Sequence, residues 1–176
     1  MSKKKSVIFL DRDGVINKSK VVNGKPLAPT KFSEFTIFSY TKKSLEKLNK
    51  KFDLIVITNQ PDISKKKLTQ SDLKKMNNIL LKEYFIKDVF FCPHVKEDNC
   101  FCRKPKIGLL KKASKKYSLT KNKCFLIGDR KSDILAAQKF GIKPFFIDRN
   151  YKEPKPSKKV KRFKNLKEVA DHLLIV

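Results

Sequence analysis

Three apolar runs each end on a short polar side chain: "SVIFLD" (residues 6–11), "FDLIVITN" (52–59) and "KCFLIGD" (123–129). A strand apolar at nearly every position must be covered on both faces, which a parallel sheet clad by helices provides and a one-sided antiparallel sheet does not. The segments between the runs fit that demand. "YTKKSLEKLNKK" sets Leu45 and Leu48 on one helical face among lysines, and "LTQSDLKKMNNILLKEYF" does the same with Leu73, Met76, Ile79, Leu80 and Phe85. Further strands are predicted at "DVFFCP" and "KPFFID". Further helices are predicted at "IGLLKKASKKY", at "SDILAAQKFG" with Gly141 as its C-cap, and at "NLKEVADHLL". Strands alternating with helices in this way predict an α/β fold, a parallel sheet flanked by helices. At 176 residues the chain suits one domain, 1–176, and the Pro- and Lys-rich tract 149–162 reads as an exposed basic connection.

Charge needs its own weighing. Lys+Arg number 43 against 17 Asp+Glu, a formal net charge of +26, which is a balance found in nucleic-acid binders. Nearly all the cations are lysines scattered over every helical segment, and tryptophan is absent. That pattern fits coding drift better than a polyanion groove, so nucleic acid is disfavoured as a partner while anionic small molecules remain attractive ones. No run approaches the roughly 18 apolar residues of a membrane span. The basic start "MSKKKSVIFLDRDG" has too short an apolar run for an export signal. A cytoplasmic monomer is the expectation, in a reducing compartment where cysteines favour metal or packing over disulfides.

Ligands of open parallel sheets bind beyond the carboxyl ends of the strands. Asp11, Asp13 and Asp129 lie at or just past such ends and could converge there. Clustered carboxylates need a compensating cation, and Mg²⁺, with its preference for oxygen ligands and phosphate, fits. Taken singly, Asp11 or Asp129 reads equally well as a polar strand stop.

A second cluster is local. "CPHVKEDNCFC" offers Cys92, His94, Cys100 and Cys102 within eleven positions, a set suited to a closed tetrahedral Zn²⁺ site. Its polar interior could not order by burial, so zinc would supply the ordering. A Cys100–Cys102 disulfide would be strained. Cys124 reads as a small core residue and His172 as a surface or packing histidine.

"FLDRDGVIN", "VITNQ", "CRKP" and "IGDRKSD", in this order, resemble the four motifs of the haloacid dehalogenase (HAD) superfamily of phosphatases. The "CPH…CFCRKP" loop narrows the resemblance to the branch of heptose bisphosphate and histidinol-phosphate phosphatases. It covers roughly residues 6–148 and implies a Rossmann-like HAD fold. No large insertion follows either of the first two motifs, so no separate cap domain is expected. By resemblance Asp11 is the nucleophile and Asp13 the general acid and base. Thr58 and Lys104 stabilise the phosphoryl group, and Arg12, Asn59, Arg103 and Arg130 contact substrate. Mg²⁺ would take Asp11, the Asp13 carbonyl and Asp129, with Asp133 in its outer shell or orienting the lysine. The zinc loop, 92–102, would fix Arg103 and Lys104. Pro61 and Asp62 depart from the usual small-residue turn, and Arg130 stands where lysine is commoner.

The resemblance implies a Mg²⁺-dependent phosphomonoester hydrolase of a small sugar phosphate, first among them D-glycero-D-manno-heptose 1,7-bisphosphate, cleaved at the 7-position. Histidinol phosphate or another sugar phosphate is the nearest alternative. A DNA 3′-phosphatase and a non-catalytic, metal-stabilised binding module stand further off.

Overall fold

The computed structural model describes residues 6–175; the basic residues at the start of the chain lie outside them. Six strands form one parallel sheet: β1 (Val7–Leu10), β4 (Asp53–Asn59), β5 (Asp88–Cys92), β6 (Phe125–Gly128), β7 (Lys143–Ile147) and β8 (Arg162–Phe163). Their spatial order is β5-β4-β1-β6-β7-β8, and every neighbouring pair is parallel. β1 therefore sits in the middle. The chain fills one side of β1 with β4 and β5, then crosses to the other with β6 and β7, and the crevice at such a switch point is where open α/β sheets bind ligands.

Alternate residues of each strand face opposite sides, so each strand feeds two cores. On one side Ile8, Leu10, Val56, Ile127 and Phe145 pack under α1 (Thr41–Asn49) and α5 (Leu166–Ile175). On the other, Val7, Phe9, Ile55, Ile57 and Leu126 pack under α3 (Gly108–Lys116) and α4 (Lys131–Phe140). The expected α/β fold with helices on both faces is what the structure has. Gly141 closes α4 in the left-handed region, as its position predicted. Among the described residues no helix is long and apolar enough to cross a membrane.

The structure differs from the sequence reading in three places. Residues 18–30 fold into a hairpin, β2 (Lys20–Val22) against β3 (Lys25–Leu27), which no apolar alternation announced because its strands are short and largely exposed. α2 (Gln70–Glu83) buries Leu73, Met76 and Leu80, yet it ends before Phe85, which takes a positive φ of 60° and is 38% exposed. The tract 149–162 carries exposed lysines but also buries Pro156 and Val160 and supplies β8. Cys124 is fully buried in the core, and the His172 ring rests against Phe145 and Phe163.

Candidate active site and metal clusters

Adjacent strand ends bring the acidic residues together. Asp11 follows β1 and Asp129 follows β6, and the Asp11 amide donates to Ile127 O at 2.9 Å, which locks the two ends in register. Asp133 enters from the first turn of α4. Carboxylate oxygens of Asp11, Asp129 and Asp133, all buried, lie within 4.8 Å of one another. Gly14 makes room for them: it has φ +86°, and a Cβ there would collide with the Asp129 carboxylate.

Three like charges so close require a counter-charge. Lys104 provides one. The residue is 3% exposed, and its ammonium reaches Asp11 Oδ1 at 2.9 Å, Asp133 Oδ1 at 2.7 Å and the Ile57 carbonyl at 2.7 Å. Burial works to lower the Lys104 pKa, and the Asp11 and Asp133 charges outweigh it, so the amine stays protonated. Burial pushes the Asp11 carboxyl up; Lys104 pulls it back, the Asp133 and Asp13 charges add to the rise, and the result is about 6. Asp129 is raised well above the usual carboxylate range by burial and by the Asp11 and Asp133 charges. Neither Asp129 oxygen has a well-formed hydrogen bond, although both are buried. A buried carboxylate so thinly satisfied, with the Tyr151 hydroxyl beside it, fits a cation ligand.

Asp13 is caged differently. Arg12 donates to it through Nε and Nη2 at 3.1 Å, Asn17 at 2.9 Å and Gln60 at 2.7 Å. Arg12 is fully buried, with its guanidinium over the Phe35 ring, so it holds Asp13 rather than touching substrate. That corrects the expectation for Arg12. Asn59 is also committed within the fold, clasping the Lys104 main chain through N–H and C=O at 3.0 and 3.2 Å. Asp133 accepts from Lys104 and from the Arg130 amide.

A cleft of about 290 Å³ opens over these groups, lined by Asp11, Asp13, Thr58, Lys104, Asp129 and Arg130 among others. Arg103 borders it while donating to the His94 carbonyl at 3.0 Å, and Arg130 pairs with Glu153 at its rim. The hairpin residues Pro26, Leu27 and Ala28 form the opposite wall.

The four zinc-type ligands also converge. His94 Nδ1 is 3.5 Å from Cys92 Sγ and 3.3 Å from Cys102 Sγ, and the three sulfurs lie 3.1–3.6 Å apart. All the cysteines are free. Burial works to raise the Cys100 thiol, but the Arg103 amide and the neighbouring thiols outweigh it and bring it down to about 7, so a thiolate is accessible near neutrality.

Sequence reasoning missed Gln60, which follows the end of β4 inside a quoted motif, and Tyr151, whose hydroxyl faces Asp129 from the 149–162 tract. It also missed Arg149, which donates to the Gly14 carbonyl at 2.8 Å. Nothing in the spacing of the tract hinted at either of its two.

The chain is 34% identical over 157 residues to the D-glycero-alpha-D-manno-heptose-1,7-bisphosphate 7-phosphatase of Photorhabdus laumondii, covering 80% of this chain and 81% of that one. The chain belongs to the HAD phosphatases. Residues 101–174 match the HAD-hydrolase-like family. A D-glycero-beta-D-manno-heptose-1,7-bisphosphate 7-phosphatase of Helicobacter pylori is 32% identical over 171 residues, covering 93% and 94% of the two chains. Among solved structures, D,D-heptose 1,7-bisphosphate phosphatase from B. bronchiseptica, complexed with magnesium and phosphate, superposes with a TM-score of 0.84 at 22% identity, over 97% of this chain and 98% of that one. At that identity the superposition speaks to the fold.

Proposed function

We propose that this HAD phosphatase removes the 7-phosphate of a D-glycero-D-manno-heptose 1,7-bisphosphate, working as a single-domain cytoplasmic monomer. The single observation that carries the chemistry is the pairing of Lys104 with Asp11, 2.9 Å apart in a buried cleft. A buried cation beside a carboxylate at a strand end is what an anionic nucleophile needs to approach an anionic phosphate. The sugar rests on the relatives, which include phosphatases of both anomers.

The Asp11 carboxylate attacks phosphorus and the bond to the departing sugar oxygen breaks, giving an aspartyl-phosphate. Asp13 gives the leaving oxygen its proton, then takes one from the water that attacks phosphorus, releasing inorganic phosphate and restoring Asp11. Thr58 and Lys104 hold the phosphoryl oxygens as charge shifts onto them. Bound by Asp11, the Asp13 carbonyl and Asp129, Mg²⁺ would neutralise phosphate charge. The burial of Asp129, with little beyond the Tyr151 hydroxyl to satisfy its two oxygens, supports that assignment. Zn²⁺ on Cys92, His94, Cys100 and Cys102 would be structural, since all four positions are filled by side chains. It would hold Arg103, whose amide donates to Cys100 Sγ at 3.4 Å, and through it Lys104.

The test is kcat/KM with Mg²⁺ for both heptose 1,7-bisphosphate anomers, histidinol phosphate and a 3′-phosphorylated oligonucleotide. A preference of about 100-fold or more for one heptose anomer is expected, the scale of discrimination a polar site achieves over a non-cognate ligand. Equal or better turnover of either other ester would overturn the sugar assignment.

A further inference from the structure

Gln60 is 1% exposed and lies one residue past β4. We infer that Gln60 is a positioning residue for phosphoryl transfer, dividing its two amide hydrogens between Asp13 and Thr58 so that the Thr58 hydroxyl is left to donate into the cleft. The inference rests on the roles proposed above for those two residues.

The geometry fixes which way the amide faces. Gln60 Nε2 lies 2.7 Å from Asp13 Oδ2 and 2.9 Å from Thr58 Oγ1. Arg12 and Asn17 already donate to Asp13, and once Asp13 has given up its proton its carboxylate can only accept, so in that state the Gln60 nitrogen and not its oxygen faces it. The second hydrogen then goes to Thr58 Oγ1, which acts as acceptor. A hydroxyl has a single hydrogen. With Oγ1 already occupied by Gln60, that hydrogen turns away from the amide, and Thr58 lines the cleft beside Asp11 and Lys104. A donor oriented before substrate arrives needs no reorganisation in the transition state.

The fold bears a cost to keep this arrangement. Gln60 Oε1 is buried with no hydrogen-bond partner, a state native interiors seldom tolerate without a functional reason. The Gln60 backbone is pinned as well, its N–H donating to the Cys92 carbonyl at 2.7 Å. The Cys/His loop thus steadies Thr58 and Asp13 from one side while it holds Lys104 from the other.

The test is steady-state kinetics on whichever phosphate ester is turned over fastest, comparing Gln60→Leu and Gln60→Met in the wild-type and Thr58→Val backgrounds. In the wild type, each substitution should lower kcat by about 10–100-fold with KM changed less than about threefold, the pattern of a lost transition-state interaction. In the Thr58→Val background the further loss should be clearly smaller than in the wild type, because one of the two groups that Gln60 positions is gone. A kcat within about threefold of wild type, or a full loss repeated without Thr58, would overturn the inference. Thermal melting identifies whichever variant is folded, and Met, flexible and close in volume, serves if Leu is not accommodated. Asp11→Asn is the separate control: if it kept full turnover, the mechanism itself would fail, whatever the Gln60 variants did.

Discussion

Two clusters in this molecule gather their ligand atoms within 4.8 Å, and they are held together by opposite means. The carboxylates stand on the ends of buried strands and on the first turn of a helix, with Lys104 already between them. The Cys/His set hangs on the segment from Cys92 to Cys102, where Val95 to Asn99 are polar or half-exposed and Phe101 is 88% exposed. In the first case the fold makes the site and a cation would relieve its charge. In the second, little but the ligands themselves would make the site. A metal should therefore matter to catalysis at one place and to order at the other.

The sharpest break in that comparison is at Asp11. Asp11→Asn removes the proposed nucleophile but leaves the Cys/His loop untouched, so kcat should fall by about 1,000-fold or more while the zinc content, expected at one equivalent, stays unchanged, measured by turnover and elemental analysis. Lys104→Met comes next. It leaves Asp11 and Asp133 buried without their counter-charge, so the metal-free protein should lose about 3–5 kcal/mol in urea unfolding. Saturating Mg²⁺ should restore more stability to this variant than to the wild type, because it replaces the missing positive charge.

Emptying the proposed zinc site probes the other cluster. Cys100→Ala or a strong chelator should lower Tm by about 5–10 °C and kcat by about tenfold, since loosening the loop misplaces Arg103, Lys104 and Gln60. Mg²⁺ affinity, read by calorimetry, should change little, because Asp11 and Asp129 stand on the sheet. A collapse of Mg²⁺ binding would show that the two clusters are one unit.

The smallest effect is in pH. Asp11 is raised from 3.8 to about 6 in the fold. Between those values the native metal-free protein keeps a proton that the unfolded chain has released, so stability falls as pH rises through the window, by on the order of 2 kcal/mol. Asp129, raised for the same reason, adds in the same direction. With Mg²⁺ bound the charged forms are favoured and the decline should vanish, which urea titrations at pH 4.5 and 6.5 with and without Mg²⁺ would reveal.

Much of this was legible from residue order. Strand apolarity gave Val7 to Leu10, Leu54 to Ile57 and Leu126 to Ile127 as core, and the Cys-x-His and Cys-x-Cys spacings marked one cluster outright. The hairpin wall was not legible because its strands are short and wet. Arg12 misled because a charged residue inside a recognisable motif reads as substrate-facing, while here it is sealed against Phe35 and spent on Asp13.

By itself the sequence determined which segments must be buried, where each strand stops and which ligands share a loop, because these depend on periodicity and on neighbours a few residues apart. Only the tertiary structure decided that Lys104 meets Ile57, Asp11 and Asp133, that Gln60 bridges Thr58 to Asp13, and that Tyr151 and Arg149 close on the site from behind. Those partners come from strands and loops up to 135 positions apart. The order in which the chain crosses the sheet brings them together, and no local pattern of side chains encodes that order.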